Sequence, residues 1–406
     1  MKKILIILFG FQACYMDLIS QINVENVDQL IDLSIQDHLM LKSAELQYQK
    51  SANEKKTAFN PGYTQFSLHY GQYNSFYNDL AYQINQTFDL PQVYIAKKSV
   101  LNKQSEIANL SPRLIEIEIK KNIRQLWIQW MIGLKSKQIL LQQDSMLNEW
   151  KRIAASQAQN GDITTLEYEI VENLKRNLQL QILQNESQLQ KVYETIKIYA
   201  GQEVKLPDYP VDGELILESD TTHYRESPWI TLLQRKQDVA KIQWKIQKNE
   251  WWPKLSLTYY NMSLRGQPNR DGTITTINDR FSSFQIGIGI PLIYHAQKNL
   301  VKASKLQSES IYAELEWQKR IWSNKILTTG IELNQWKQQK LTFESQSFPL
   351  VEKIKKQALI LYGSSAITFQ QFWQMINQSF ELEKQYLDIL KNYYTTYAEW
   401  LYLKGL

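Results

Sequence analysis

The feature that most constrains this chain is an internal duplication, in which the second half repeats landmarks of the first about 200 residues later. The landmarks keep the same order in both halves. The matched pairs are Pro61 with Pro253, Pro91 with Pro291, Gly161-Asp162-Ile163-Thr164 with Ser365-Ala366-Ile367-Thr368, and Gly201 with Gly405. Four chance matches would rarely fall in the same order in both halves. We therefore predict two copies of one structural unit within the 406 residues.

Each copy contains a segment in which apolar and polar residues alternate, as they do along a β-strand. These segments, about residues 63–90 and 254–290, are predicted to form one β-hairpin each. Strands with one apolar and one polar face are typical of transmembrane β-barrels, and aromatic residues make up 12% of the chain. The residues predicted to face lipid are Phe66, Leu68, Tyr70, Phe284, Ile286 and Ile288. A soluble hairpin with one solvated face is the alternative.

Long helices are predicted after each hairpin, because apolar residues recur there at steps of three and four. Pro112 and Pro349 are expected to kink or interrupt them. The expected helical segments are 26–59, a helical hairpin over 92–201, a helix over 227–252 and a second helical hairpin over 292–405.

Two turns are predicted at the far ends of these helical hairpins, because a capping box starts a helix at Thr164 and again at Thr368. Small residues there would let backbones approach closely. The turn residues are Asn160, Gly161, Asp162, Ile163 and Thr164 in the first copy, and Ser364, Ser365, Ala366, Ile367 and Thr368 in the second. Ile163 and Ile367 either staple their own hairpins or dock a partner, and Asp162 is a candidate charge at an aperture.

The N-terminal segment predicts a secretory signal peptide over residues 1–20, since Lys2 and Lys3 precede an apolar run. Cleavage would follow Ser20. One alternative is lipidation of Cys14, the single cysteine, because the residues before it weakly resemble a lipobox. The other alternative is a buried N-terminal helix.

The segment between the two repeats contains proline and glycine residues, so we predict that the mature chain is divided there by a linker. The predicted segments are the first repeat over 21–201, an equatorial linker over 202–226 and the second repeat over 227–406.

Several classes of protein have no support in the sequence. A net charge of +5 with scattered basic residues does not indicate nucleic-acid binding. After the N-terminus no eighteen apolar residues follow one another, and none of the four histidines has the spacing of a metal site. Phosphate-binding and nucleophile-elbow motifs are missing, so neither an enzyme nor a cofactor is predicted.

The order of several residues in the second copy resembles the TolC-like outer-membrane efflux family, and within it the heavy-metal-efflux branch. The residues that carry the resemblance are Phe348-Pro349, Ala358, Tyr362, Ile367, Phe369 and the segment GIGIPLIY at Gly287–Tyr294. The resemblance covers nearly the whole mature chain. One departure is Ser365, which stands where the family has a second turn glycine, with Gly363 two residues earlier.

The resemblance implies a mainly α fold with a β-barrel part. It implies a homotrimer in the outer membrane, in which each protomer gives four strands to a shared twelve-stranded barrel. The long helical hairpins would form a periplasmic α-barrel whose turns meet an adaptor protein, served by an inner-membrane pump of the resistance–nodulation–division type. The predicted function is a passive exit duct for metal ions or small toxic compounds. The alternative is a periplasmic coiled-coil adaptor or interaction protein.

Overall fold

The computed structural model describes residues 22–72, 76–209, 227–250, 252–290 and 294–406. Within these ranges the chain forms eight α-helices and six strands. The helices are α1 (Val27–Gln36), α2 (Leu39–Glu54), α3 (Pro91–Asn160), α4 (Thr165–Ala200), α5 (Pro228–Asn249), α6 (Tyr294–Thr342), α7 (Phe348–Gly363) and α8 (Phe369–Lys404). The strands are β1 (Ile22–Asn23), β2 (Gln65–Gly71), β3 (Asp79–Phe88), β4 (Val204–Lys205), β5 (Lys254–Ser263) and β6 (Arg280–Gly289).

The chain divides into two compact units, and each takes segments from both sequence repeats. The strand unit comprises the described parts of Leu39–Glu118, Asp220–Glu332 and Glu399–Leu406. The turn unit comprises the described parts of Met1–His38, Ile119–Ser219 and Leu333–Ala398. The long helices α3 and α6 therefore each contribute one end to one unit and the other end to the other.

Both predicted hairpins form in the strand unit, and they join into a single antiparallel sheet. The strand order is β2-β3-β5-β6, so β3 and β5 pair in the middle although about 170 residues separate them. β2 and β6 are the two edges of this sheet. A second sheet, in the turn unit, consists of the short parallel pair β1 and β4.

The predicted N-terminal helix over 26–59 is two helices. Asn26 caps α1 by accepting a hydrogen bond from the backbone of Gln29, and α1 ends at Gln36. Asp37 leaves the helical conformation, with φ −125° and ψ 25°, so the chain restarts as α2 at Leu39. The Asp37 backbone N–H donates to the Ile35 carbonyl, which ends α1 although the helical periodicity of the sequence continues.

The two helix prolines behave differently. Pro112 does not end α3, which runs unbroken for 70 residues, and the neighbouring Ser111 hydroxyl donates to the Ile107 carbonyl. Pro349 does mark an interruption, as predicted. A π-helical turn over Phe343–Ser347 precedes it, and Pro349 lies in the first turn of α7, where its missing N–H costs little.

The core of the turn unit lies between α3, α4, α7 and α8. Trp150, Phe372 and Ile376 are fully buried there and lie among ten buried residues that form one hydrophobic cluster. The large side chains come from the ends of the helices nearest the two turns, so the turns are fixed onto a packed base.

Candidate functional sites: two matched turns and a two-faced sheet

The two turns between α3 and α4, and between α7 and α8, have the same hydrogen bonds. In the first turn Gly161 N donates to Ala158 O at 3.2 Å, and Asp162 N donates to Gln157 O at 2.8 Å. The equivalent bonds in the second turn are Ser365 N to Tyr362 O at 3.0 Å and Ala366 N to Leu361 O at 2.9 Å. This pair of bonds is the Schellman ending of a helix. The duplication is therefore preserved at the level of single hydrogen bonds.

A Schellman ending needs a residue with positive φ, and in the second turn this residue is Ser365. Gly161 has φ 80°, and Ser365 has φ 57°. Ser365 is the only described non-glycine residue in this region of the backbone. Gly363, two residues earlier, remains helical in α7. The serine has therefore taken over the conformation of the glycine, and the turn has not moved to Gly363.

Both predicted capping boxes form. The Thr164 Oγ1 accepts from Glu167 N at 3.2 Å, and the Glu167 carboxylate accepts from Thr164 N at 2.7 Å. In the second turn Thr368 accepts from Gln371 N at 3.3 Å, and the Gln371 side-chain oxygen accepts from Thr368 N at 3.0 Å. A cap of this kind stabilises a helix start by about 1 kcal/mol. Each turn is thus closed on both sides.

The exposure of the turn residues separates two groups. Asn160, Gly161, Asp162 and Thr164 are exposed in the first turn, as are Ser364, Ser365, Ala366 and Thr368 in the second. Ile163 and Ile367 are half-buried and pack against the core cluster of the turn unit. The two isoleucines thus contact the core of the turn unit, and the side chains that are fully exposed in each turn are small or polar.

An aromatic cluster directly beneath the turns was not predicted. The Trp150 ring lies 4.6 Å from that of Phe372 and 5.9 Å from that of Trp373, and Phe372 stacks on Tyr362 at 4.6 Å. Burial raises the pKa of the Tyr362 hydroxyl. The sequence signal was the spacing of Phe369, Phe372 and Trp373, which puts three aromatic rings on one face of the first turns of α8.

A buried ion pair was also not predicted. Glu383 of α8 is only 2% exposed, and its carboxylate contacts the Lys355 ammonium of α7. The same carboxylate accepts a hydrogen bond from Gln143 of α3 at 3.0 Å. Removing one partner of such a pair leaves a buried charge without compensation, so these three helices are held in one register.

The four-stranded sheet has two chemically distinct faces, because residues directly opposite in neighbouring strands point to the same side. Phe66, Ile84, Tyr259 and Phe284 are paired in one row across all four strands. Gln65, Asn85, Thr258 and Gln285 form the next row, on the other side. All six residues predicted to face lipid lie on the first side, the apolar face, and all are exposed: Phe66, Leu68, Tyr70, Phe284, Ile286 and Ile288.

The apolar residues form a band that crosses the sheet obliquely. Leu68 is the middle one of the three in β2, and its row ends at Ser282 in β6. In β6 the middle of the three predicted lipid-facing residues is Ile286, which lies four residues beyond Ser282. Four residues correspond to about 14 Å, and three strand spacings also amount to about 14 Å. The band is therefore inclined by about 45° to the rows of the sheet.

Other predicted sites lie outside the described residues or stand alone. The signal peptide and Cys14 fall in residues 1–21, and most of the 202–226 linker falls in residues 210–226, which the structure does not describe. In the described part of the chain, no group of three or more His, Cys, Asp or Glu side chains could hold a metal ion. His69 lies on the polar face of the sheet. None of the described helices has an apolar stretch long enough to cross a membrane.

No family model matches the sequence, and no curated protein matches it. Solved structures do match. CusC, solved in a study of its folding and transmembrane channel formation, has a TM-score of 0.78 at 14% identity, covering 94% of this chain and 92% of CusC. The outer-membrane channel OprN has a TM-score of 0.79 at 14% identity, covering 93% and 89%. The CmeC outer-membrane channel of Campylobacter jejuni has a TM-score of 0.76 at 13% identity, covering 94% and 85%. Along nearly all of its length, this chain has the TolC-like fold of outer-membrane channels.

Proposed function

We propose that the chain is one protomer of a homotrimeric outer-membrane exit duct in a tripartite efflux pump. The observation that carries the proposal is the oblique apolar band on the exposed face of the sheet. If the band lies parallel to the plane of a bilayer, the strands are inclined by about 45° to the membrane normal, which is the tilt of strands in transmembrane barrels. The polar face would then line a water-filled lumen. The alternative, a periplasmic coiled-coil adaptor, would not be expected to expose an apolar band on a β-sheet.

The sheet edges support assembly with further copies of the chain. Four strands are too few to close a barrel around a lumen, and β2 and β6 are edges whose outer backbone groups pair with none of the described strands. In lipid these groups need partners, because no water is there to bind them. Closure by three copies would join β6 of one protomer to β2 of the next and give twelve strands.

Helix α6 supports the same arrangement. Its residues Ser308, Leu315 and Thr329 are buried within the protomer. On the opposite side of the helix a second seam, with steps of three and four, is exposed: Ala303, Leu306, Ser310, Ala313, Trp317, Arg320, Asn324, Leu327 and Ile331. Such a seam is typical of a helix that packs against two neighbours. Because α6 follows the edge strand β6, its second neighbour would belong to the copy that completes that edge.

The two turns are the proposed contact with a periplasmic adaptor, which would link the duct to an inner-membrane pump of the resistance–nodulation–division type. Their exposed surface is formed by backbone, hydroxyl groups, the Asn160 amide, Ala366 and the Asp162 carboxylate. Three copies of Asp162 would give a ring of negative charge around an aperture. The duct would carry metal ions or small toxic compounds without binding them tightly, since it lies downstream of the pump.

The experiment changes the exposed turn residues and leaves the half-buried isoleucines in place. Asp162→Lys combined with Ala366→Lys should abolish resistance to exported metals or toxic compounds, while the heat-resistant trimer remains in the outer-membrane fraction. Gln190→Lys is the matched control, because Gln190 is exposed on α4 about 40 Å from the turn. Full resistance in the double variant contradicts docking at the turns. Absence of the wild-type chain from the outer membrane contradicts the whole proposal.

A further inference from the structure

One formal charge lies on the apolar face of the described strands, and it belongs to Arg280. Arg280 is the first residue of β6 and has the same parity as Phe284, Ile286 and Ile288. A charge on this face is costly within the hydrocarbon of a bilayer. It lies, however, at the end of the strand away from α6, where the band of apolar residues in β6 has already ended.

The guanidinium of Arg280 is held by neutral groups. Its Nε donates to Asn261 Oδ1 at 2.7 Å, one terminal nitrogen donates to Asn261 O at 2.8 Å, and the other donates to Leu80 O at 2.8 Å. The Tyr82 ring lies 4.9 Å away. No carboxylate forms an ion pair with Arg280 among the described residues. Three of its five N–H groups are therefore used, and the positive charge remains uncompensated.

Polar groups continue from Arg280 along the same face. Asn261 Nδ2 donates to the Ser282 hydroxyl at 3.0 Å, and that hydroxyl lies 3.0 Å from the hydroxyl of Tyr259. Ser282 is exposed beside this network. The face thus presents a fixed guanidinium and an exposed hydroxyl group next to the apolar row that ends at Phe284.

We propose that Arg280, with the Ser282 hydroxyl beside it, binds the phosphate of an outer-leaflet lipid. This rests on the proposed function, in which the apolar face meets lipid and the helices are periplasmic, so that Arg280 lies at the outer surface. The two remaining N–H groups would donate charge-assisted hydrogen bonds to phosphate oxygens, which is the geometry that arginine favours. The lipid is chosen over a free anion because the site continues into the apolar band, where acyl chains would pack.

The test uses purified full-length trimer titrated in detergent with lipid A and with the same lipid after removal of its phosphates, read by native mass spectrometry. The wild-type protein should retain the phosphorylated form at least about tenfold more strongly, because two charge-assisted hydrogen bonds are at stake. Arg280→Gln should abolish this preference. Arg270→Gln is the matched control, since Arg270 is exposed in the loop between β5 and β6, and it should keep the preference.

A second variant is needed because Arg280→Gln also removes hydrogen bonds that hold neighbouring strands of the sheet together. Ser282→Asp leaves every hydrogen bond of the guanidinium to Asn261 and Leu80 in place and supplies a carboxylate, so it should also abolish the preference. Retention of the preference in either variant overturns the inference, as does displacement of the lipid by millimolar inorganic phosphate. If the wild-type trimer inserts into vesicles but shows no preference, this inference alone fails. If it does not insert at all, the proposed function fails with it.

Discussion

Ser365 holds a backbone conformation that costs an L-residue about 1 kcal/mol or more, because its Cβ approaches its own carbonyl oxygen. Gly161 holds the equivalent conformation without that cost, and a Cβ added there would meet no neighbouring atom within 4 Å. The two turns are therefore matched in geometry and hydrogen bonding and differ in strain. This gives an internal comparison in which packing does not interfere.

Gly161→Ala should destabilise the turn unit by about 1 kcal/mol, because the alanine must adopt positive φ. Ser365→Gly should stabilise the turn unit, by less than about 1 kcal/mol. The relief of backbone strain is partly offset by the greater conformational freedom of glycine in the unfolded chain. Thermal denaturation followed by helical circular dichroism measures both. Equal destabilisation by the two substitutions would show that the turns are not equivalent.

The register of β6 gives a second prediction at the scale of single residues. Ile286→Arg puts a charge on the apolar face in the middle of the band and should cost about 2–4 kcal/mol in the membrane. Gln285→Arg, one residue away, puts it on the polar face and should be tolerated. The yield of heat-resistant trimer in the outer membrane is the measurement. The opposite result would mean that the apolar and polar faces are exchanged.

At the scale of elements, Asp89 connects the end of β3 with α3 and β5. Its carboxylate contacts the Lys97 ammonium at 3.0 Å and that of Lys254 at 3.4 Å, and its backbone N–H donates to the Tyr94 hydroxyl at 3.0 Å. Burial raises the pKa of Asp89, but the hydrogen bond and charge of Lys97, together with Lys254, lower it by more, so the pKa falls below its usual value. The junction between sheet and helix thus depends on an ionised carboxylate.

Because the pKa of Asp89 is lower in the folded chain, its stabilising effect is present at neutral pH and is lost as the pH falls below about 4, through the folded pKa. Asp89→Asn should lower the midpoint of thermal unfolding at pH 7 and leave it unchanged at the acid end. Lys97→Met should reproduce much of this loss. A variant that lost the same stability at every pH would show that the ion pair contributes nothing.

At the scale of the whole molecule, ring closure makes a prediction about α2 and α6. α2 precedes β2 and exposes Leu39 and Leu46, seven residues apart, whereas α6 follows β6 and exposes its second seam. A ring that joins β6 to β2 of the next copy should bring these two helices together. Such an interface would be heterologous, so the ring would close only when every copy uses both of its faces.

Leu46→Cys combined with Leu306→Cys should give a covalently closed trimer with a short bismaleimide, in a background where Cys14 is replaced. Denaturing electrophoresis reads the result. Each single variant should stay monomeric, and so should Leu46→Cys with Lys305→Cys, because Lys305 lies on another side of α6. Crosslinked dimers without trimers would indicate a twofold interface. No crosslink in the native membrane would contradict the ring.

Those parts of the fold that a few neighbouring residues decide could be read from the sequence. Hydrophobic period gives the two hairpins and the long helices, and the capping boxes at Thr164 and Thr368 give the two helix starts, because a cap is a hydrogen bond between residues three apart. The faces of the strands follow from alternation in the same way. The breaks were less predictable: the helix over 26–59 is divided at Asp37, and Pro112 lies inside an unbroken helix.

Tertiary structure alone decided what joins residues far apart in the chain. The pairing of β3 with β5 places Ile84 opposite Tyr259, and only that register turns two separate hairpins into one sheet with an oblique apolar band. The buried contacts of Trp150 with Phe372, and of Lys355 and Gln143 with Glu383, likewise join different helices. Local periodicity carries no record of such partners, because side-chain packing and cross-strand hydrogen bonds choose them only when the chain is compact.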